Sequence, residues 1–464
     1  MSPSKEVSII GGGVSGLGMA VQLKRLLGHD NFTIYEKSDN IGGTWWHNRY
    51  PGCACDIPSH FYPLSFALKP DWTTMYPGRD ELHAYFVSVA EKYDIIPHCR
   101  FNAMCLGLVW DTTRSLWVCT FQDTTSGEIY KREAPVVVSA VGTLDRPFVP
   151  DIEGSDTFEG KTFHSASNGT SATQFVPELV KEVGPKGSVT QFIRSAHWWT
   201  KRGNPKYSEA FKMLMKHVPF AARIYRLLLA WELESMFFSF RMDANGSGMP
   251  QLRAGLQASG QHRYLPLFAP FATDAFDQGS GRKISRDHVI TETGGRYPAD
   301  AIIYATGFLT QEWLHPIKGI GGRDLHQVWD ASGGAEAYKG TVVTGFPNFF
   351  ILYGPNAATG QHSVIFHSEC QINYSCRLLR KVLGGYADSI MVKPLAQERD
   401  LAWVHRKLQG LVFNSGRQSW WMGPRTKKNT FIYPDPMYLY WARTIFPRWS
   451  DLKCERARRD ILLP

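Results

Sequence analysis

No run of apolar residues in this 464-residue chain is long enough to cross a bilayer. The richest, Leu227-Leu228-Leu229-Ala230-Trp231, lies among Arg223, Arg226, Glu232 and Glu234, whereas a helical span needs about 20 apolar residues. No integral membrane segment is expected. The eight cysteines form neither paired CxxC units nor a zinc spacing, so no metal centre is expected. Cys53 and Cys55 stand too close for a relaxed bridge, and a reducing, cytoplasmic compartment is the simplest setting. The first strand begins within about five residues of the start, which leaves no room for a signal peptide. Low-complexity tracts and solenoid-period repeats are missing. Acidic residues are the scarcer charge, 42 against 51 Lys and Arg, a net +9. That balance suits an anionic cofactor or a nucleic acid. No basic block with interleaved aromatics and no known nucleic-acid module accompanies it. The excess is read as a solvated basic surface, and no nucleic-acid partner is expected.

What is present is a globular composition, 43% hydrophobic and 20% charged, with length for two or three domains. The chain opens on Glu6-Val7-Ser8-Ile9-Ile10, then Gly11-Gly12-Gly13-Val14-Ser15-Gly16, then the apolar Leu17–Leu23. This reads as a buried strand, a glycine turn and a helix. Gly11 permits the turn, Gly13 lets backbone approach a pyrophosphate, and Gly16 lets helix pack on strand. The helix N-terminus offers amides and a positive dipole end. Glu36, twenty residues after Gly16, closes Phe32-Thr33-Ile34-Tyr35 where an acid holds a ribose hydroxyl pair. A dinucleotide is expected here.

Residues 40–62 are aromatic, glycine-rich and almost without helix or strand periodicity, as befits a functional loop walling a planar ring. Asp80–Tyr93 reads as an amphipathic helix with an acidic first turn. Leu106–Trp110, Trp117–Phe121 and Ile129–Arg132 read as an antiparallel ribbon, and Ala134–Ala140 as a parallel-type strand. Pro147 and Pro150 mark an exit into a second α/β unit with a helix at Thr173–Val183 and a strand at Ser188–Ile193. Tyr207–Arg241 is helical and aromatic, read as core packing or as a lid. Ala299–Phe308 and Phe346–Asn356 repeat the strand-into-glycine pattern, and helices at Glu369–Val382 and Ala396–Leu408 follow.

Gly43, Trp45, Tyr50, Pro51, Gly52 and Asp56 complete the pattern G-x-W-x-x-x-x-[FY]-P-G-x-x-x-D. With the opening motif, this sequence resembles the class B flavoprotein monooxygenases, and among them the Baeyer–Villiger monooxygenases, over residues 6 to about 445. Phe346–Asn356 and Phe413–Gly416 with Ser419-Trp420 look most like fungal members of secondary metabolism that act on bulky polyketide or terpenoid ketones. The resemblance implies an α/β fold with two dinucleotide-binding, Rossmann-like domains, the NADPH domain inserted in a discontinuous FAD domain. The division is then 1–150 (FAD domain, first part), 151–330 (NADPH domain with a helical insertion) and 331–464 (FAD domain, second part, and tail). It implies FAD and NADPH as cofactors, with O2 and a hydrophobic ketone as small-molecule partners and an ester or lactone as product. Gly11, Gly13, Gly16 and Glu36 match FAD positions, and Thr44, Trp45, Trp46, His47, Cys55, Asp56 and Tyr62 the loop along the flavin. Arg263 falls where the family has its essential arginine, with Asp56 orienting it. A permanently charged fork suits developing negative charge. Arg194 and Ser195 match positions that hold the NADPH 2′-phosphate, and Trp420 a tryptophan on the nicotinamide side.

The pattern breaks in the second unit. Phe158, Gly160 and His164 fit F-x-G-x-x-x-H-x-x-x-W, but Asn168 stands in place of the tryptophan. Asn168–Gln174, with Thr170 and Ser171, resembles only the back half of a second G-x-G-x-x-G. About twenty residues are missing by the usual strand-plus-turn lengths. The expectation is a domain lacking its central strand, with FAD binding safer than NADPH binding. Two rivals to ketone oxygenation stay open: oxygenation of nitrogen or sulfur, and a non-catalytic flavoprotein whose NADPH site is lost.

Overall fold

The computed structural model describes residues 5–165, 172–185, 187–192, 203–241, 273–274, 283–291, 294–310, 315–360, 362–414, 421–423 and 426–456. Its centre is an all-parallel sheet. Strand β1 (Val7–Ile10) runs into helix α1 (Val14–Leu27), and β2 (Phe32–Tyr35) pairs β1 on one side. After a single helical turn α2 (Thr44–His47) and helix α3 (Arg79–Lys92), the short β3 (Cys99–Arg100) extends the sheet beyond β2. An antiparallel ribbon follows, β4 (Ala103–Asp111), β5 (Leu116–Asp123) and β6 (Ile129–Ala134). The chain then returns as β7 (Val136–Ser139) on the other side of β1. All residues of β1 and β7 are buried, as the inner strands of a sheet covered on both faces must be.

The second unit is built differently. Strand β8 (Lys161–His164) leads to helix α4 (Ala172–Val183); of the strand expected over 188–193, Gln191–Phe192 forms β9. Helices α5 (Glu209–His217) and α6 (Ala221–Ser235) make a hairpin. Strand β10 (Thr273–Asp274) pairs β9 in parallel, β11 (Lys283–Ile284), β12 (His288–Ile290) and β13 (Arg296–Pro298) form a meander, and β14 (Ala301–Tyr304) pairs β8 in parallel. Among the described residues, the parallel pairing of this unit consists of β8 with β14 and β9 with β10. Lys161, Thr162 and Phe163 of β8 are exposed, Phe163 by 52%, where an inner parallel strand would be buried.

The chain enters and leaves this unit side by side. Phe148 donates to Gly307 O at 2.8 Å and Leu309 to Arg146 O at 2.9 Å. His164 Nε2 sits 3.1 Å from Phe148 O and 3.2 Å from Thr306 Oγ1, so the histidine of the broken motif ties both linkers together.

The last third rejoins the first. Strand β15 (Ile317–Lys318) adds to β4, helix α7 (Leu325–Ala331) follows, and β16 (Phe349–Ile351) pairs β7 in parallel. The order of the main sheet is therefore β16-β7-β1-β2-β3. Helix α8 (Val364–Leu383) packs along α1, with Ser15 Oγ 2.9 Å from Ser368 Oγ. Strand β17 (Ser389–Val392), helices α9 (Pro394–Leu408) and α10 (Met437–Ile445), and β18 (Leu452–Glu455), antiparallel to β17, finish the described chain.

The structure refines two readings. Residues 40–62 contain a helical turn, α2, although they show almost no helical period. The 207–241 segment is only in part core. Leu229 and Leu233 are buried against Phe61, while Leu227, Leu228 and Trp231 face outward. No helix among the described residues is long and apolar enough to cross a membrane.

Candidate functional site

β1 ends at Ile10, and the chain turns through Gly11 at φ +103° into α1. A Cβ on Gly16 would lie 2.0 Å from the Gly11 carbonyl oxygen, so only a hydrogen lets the helix seat on the turn. Gly13 precedes the helix in extended conformation without a side-chain cap, which leaves the first-turn amides looking out from the end of the sheet. Gly43 approaches from the opposite side; a Cβ there would meet the Gly13 Cα at 2.8 Å. Two bare backbones and the positive end of a 14-residue helix form a cradle whose donors fit a diphosphate.

Glu36 closes the cradle. It is 5% exposed; Oε2 accepts the Gly12 N–H at 2.6 Å and Oε1 the Ser38 N–H at 2.9 Å. Each oxygen retains acceptor capacity, so the pinned carboxylate fits the ribose hydroxyls of an adenine dinucleotide.

The aromatic loop divides into two roles. Trp45 is buried and donates its indole N–H to Tyr62 OH at 3.0 Å, the rings meeting edge to face. Burial, with Cys55 and Asp56 adding negative charge, holds the Tyr62 phenol well above its ordinary pKa. Tyr353 is raised in the same way by burial and then by Asp56. Trp45, Cys55, Asp56, Tyr62 and Tyr353 therefore share one neighbourhood. Trp46 and His47 look elsewhere: Trp46 Nε1 donates to Asp39 at 3.0 Å, and His47 Nε2 lies 3.0 Å from Ser38 Oγ. Arg49 stacks on the Trp46 ring at 4.0 Å. These two brace the β2–α2 turn. Thr44 opens α2 and is exposed.

Tyr50 and Gly52, matched as part of the signature, receive the second unit. Tyr50 OH donates to Gln174 Oε1 at 2.9 Å, and Gln174 Nε2 donates to Ala54 O at 3.0 Å. Gly52, at φ +78°, faces the Gln174 carbonyl, 2.5 Å from where a Cβ would be. Gln174 is a contact the sequence reading missed; nothing in periodicity links residues 120 positions apart.

The C-terminal third supplies the other missed contacts. Tyr353 N–H donates to Gln371 Oε1 at 2.6 Å, and Asn356 Nδ2 donates to Asn429 O and Ile432 O. The Gly354-Pro355-Asn356 turn was the available signal. Arg226 of α6 reaches Pro63 O at 2.7 Å and stands 3.7 Å from Glu369 of α8. Glu369 accepts from Ser65 N and Oγ at 2.9 and 2.7 Å. Burial raises the Glu369 pKa and lowers that of Arg226 against their mutual attraction. Desolvation outweighs pairing on both sides. Nearby, burial lowers His362 to about 3 and His60 to about 4, so both rings are neutral packing elements. No group of His, Cys, Asp and Glu among the described residues could hold a metal.

Arg263, Arg194, Ser195, Thr170, Ser171 and Trp420 lie outside the described residues. The geometry above covers the FAD half of the expected site.

The model of an NAD(P)-binding Rossmann-like domain matches residues 9–76, which hold the cradle and its loop. The chain is 34% identical to a Baeyer-Villiger monooxygenase of Streptomyces coelicolor over 92% of this chain and 88% of that protein. It is 33% identical to an FAD-binding monooxygenase of Aspergillus niger, over 81% of this chain and 69% of that one. Among solved structures, cyclohexanone monooxygenase from Rhodococcus sp. Phi1 bound to NADP+ superposes with a TM-score of 0.80 at 22% identity, covering 98% and 100% of the two chains. The shared fold includes both Rossmann-type units.

Proposed function

This chain belongs to the Baeyer-Villiger monooxygenase family, and from that premise we propose that it uses FAD and NADPH to insert one atom of O2 beside the carbonyl of a bulky hydrophobic ketone. The product is an ester or lactone, and the setting is polyketide or terpenoid secondary metabolism. When bound, reduced FAD supplies the oxygen chemistry and NADPH the electrons. The chain's own residues bind, orient and exclude water. Gly11, Gly13 and Gly16 give the diphosphate close backbone approach, and Glu36 takes the ribose. Trp45, Cys55 and Tyr62 wall the flavin edge, with Thr44 to His47 fixing the turn. Asp56 orients Arg263, whose charge stabilises anionic oxygen. Thr170, Ser171, Arg194 and Ser195 serve NADPH, and Trp420 lines the nicotinamide side.

The observation that carries this reading is the cradle: Gly43 seated over Gly13, Gly16 on Gly11, and Glu36 bonded to the Gly12 amide. The division into 1–150, 151–330 and 331–464 is supported by the paired linkers at 146–148 and 307–309. Eight free thiols support a reducing, intracellular setting.

A second reading is favoured by the exposure of β8: a flavoprotein that NADPH no longer reduces. One experiment separates the two. The protein purified with FAD is mixed with NADPH without oxygen, and the flavin absorbance is followed. Bleaching, then ester formation from a hydrophobic ketone in air, is expected; a colour that persists selects the second reading. Oxidation of amine or thioether probes in preference to ketones would reject the ketone assignment.

A further inference from the structure

The α5–α6 hairpin wears its hydrophobicity on the wrong side for a helix pair in water. Its inner face is settled: Leu229 and Leu233 pack on Phe61, and Arg226 is tied to Pro63 O. Its outer face carries Phe220, Ile224, Leu227, Leu228 and Trp231, continued by Phe238 beyond the end of α6. All are exposed, Trp231 by 79%. The spacing follows the helical repeat, so these side chains form one stripe. A surface helix normally turns polar residues outward, and a contiguous apolar patch of this kind marks an interaction surface.

Charge indicates the partner. At the elbow between α5 and α6, beside the stripe, lies an open groove of about 390 Å³, lined by Leu68, Met215, Lys216, His217, Pro219 and Arg223 among others. Two cations and no carboxylate line it, and the whole chain carries +9. One exposed carboxylate, Glu232, adjoins Trp231 at the far end of α6, while Lys216 and Arg223 flank the elbow; apolar and aromatic side chains beside Lys and Arg are the composition of a helix that lies in a membrane interface. A second copy is a poorer match. A two-fold contact sets a patch against itself and would bring the cations of both elbows to one interface, whereas lipid phosphates satisfy them.

We propose that the α5–α6 hairpin is a membrane-docking element that lays its outer face into the headgroup layer of an anionic phospholipid bilayer, with Lys216 and Arg223 on lipid phosphates. No span is involved, and the inference does not depend on which substrate is oxidised.

The test is co-sedimentation of the full chain, loaded with FAD, with vesicles of phosphatidylcholine alone or mixed with phosphatidylserine. Binding is expected with the mixed vesicles and little without phosphatidylserine. Leu228→Ser with Trp231→Ser should abolish it. Lys216→Glu with Arg223→Glu should weaken it by roughly thirtyfold or more, as expected for two surface cations. These positions are exposed, so melting temperatures should be unchanged, and a single-site set (Trp231→Ser or Lys216→Glu alone) reports if a double variant fails to fold. Failure of the parent chain to sediment, or equal binding to both vesicle types, would overturn the proposal. So would a parent dimer, by light scattering, that the Leu228/Trp231 variant converts to monomer, because the face would then join two copies.

Discussion

Replacing Arg226 by Met tests the buried contact between α6 and α8. Arg226 and Glu369 stand 3.7 Å apart with side chains 12% and 7% exposed. At an effective dielectric of about 20, their attraction is roughly 4–5 kcal/mol. Removing the arginine leaves Glu369 buried with only the two Ser65 donors, a change expected to cost about 3–5 kcal/mol. The loss must depend on pH. Burial already raises the Glu369 pKa above its unfolded value, and loss of the cation raises it further. The folded state then binds more protons than the unfolded one above the ordinary glutamate range. Stability of Arg226→Met should therefore fall as pH rises, by up to about 1.4 kcal/mol per unit, until the folded pKa is passed. Urea melts of parent and variant at a series of pH values from 5 to 8 read this directly. Adding Glu369→Gln should restore much of the loss and flatten the pH dependence. A loss that is the same at every pH and is not relieved by Glu369→Gln would show that Arg226 acts through packing on Phe61, and the electrostatic reasoning would be refuted.

Gly16→Ala places a methyl 2.0 Å from a backbone oxygen, so α1 must lift off the turn. We expect a loss of about 1–3 kcal/mol and a protein that purifies with less flavin; undiminished FAD content would discount the cradle. Tyr62→Phe leaves the buried Trp45 indole N–H without its acceptor, costing about 1–3 kcal/mol, to be read as a lower melting temperature. Lys339 is brought down to about 8, chiefly by burial. A depressed folded pKa means the unfolded chain binds the extra proton, so this residue makes stability rise from about pH 8 towards its ordinary 10.5. The difference between the parent chain and Lys339→Met should track that window, and a pH-independent difference would contradict it.

The parts legible in the sequence were those in which one residue type answers to one local demand. Gly11, Gly13 and Gly16 stand where backbone meets backbone, and the Phe32–Tyr35 strand leads straight into Glu36, the acid that grips Gly12. The break after His164 was legible as spacing, and β8, the strand that ends at it, is largely exposed. What stayed hidden depends on distant partners. Tyr50 and Gly52 read as flavin wall because their neighbour, Gln174, lies far along the chain. Trp46 and His47 share a helical turn with Trp45 but point to Ser38 and Asp39. In α6 the apolar residues occupy more than one face, so periodicity could not say which stripe turns inward. Arg226 settles it by reaching Pro63 and Glu369.

The pairing of β7 with β16 sets the timetable of synthesis. Val137 is laid down about 210 residues before its partner Phe349, so a ribosome releases the cofactor cradle with one flank of its sheet bare. At roughly 5–20 residues per second, that flank stays open for some tens of seconds while the whole middle unit emerges. A nascent chain cut anywhere before Phe349 therefore carries the glycine turn but not the strand that closes its sheet, and should be a substrate for chaperones rather than for flavin.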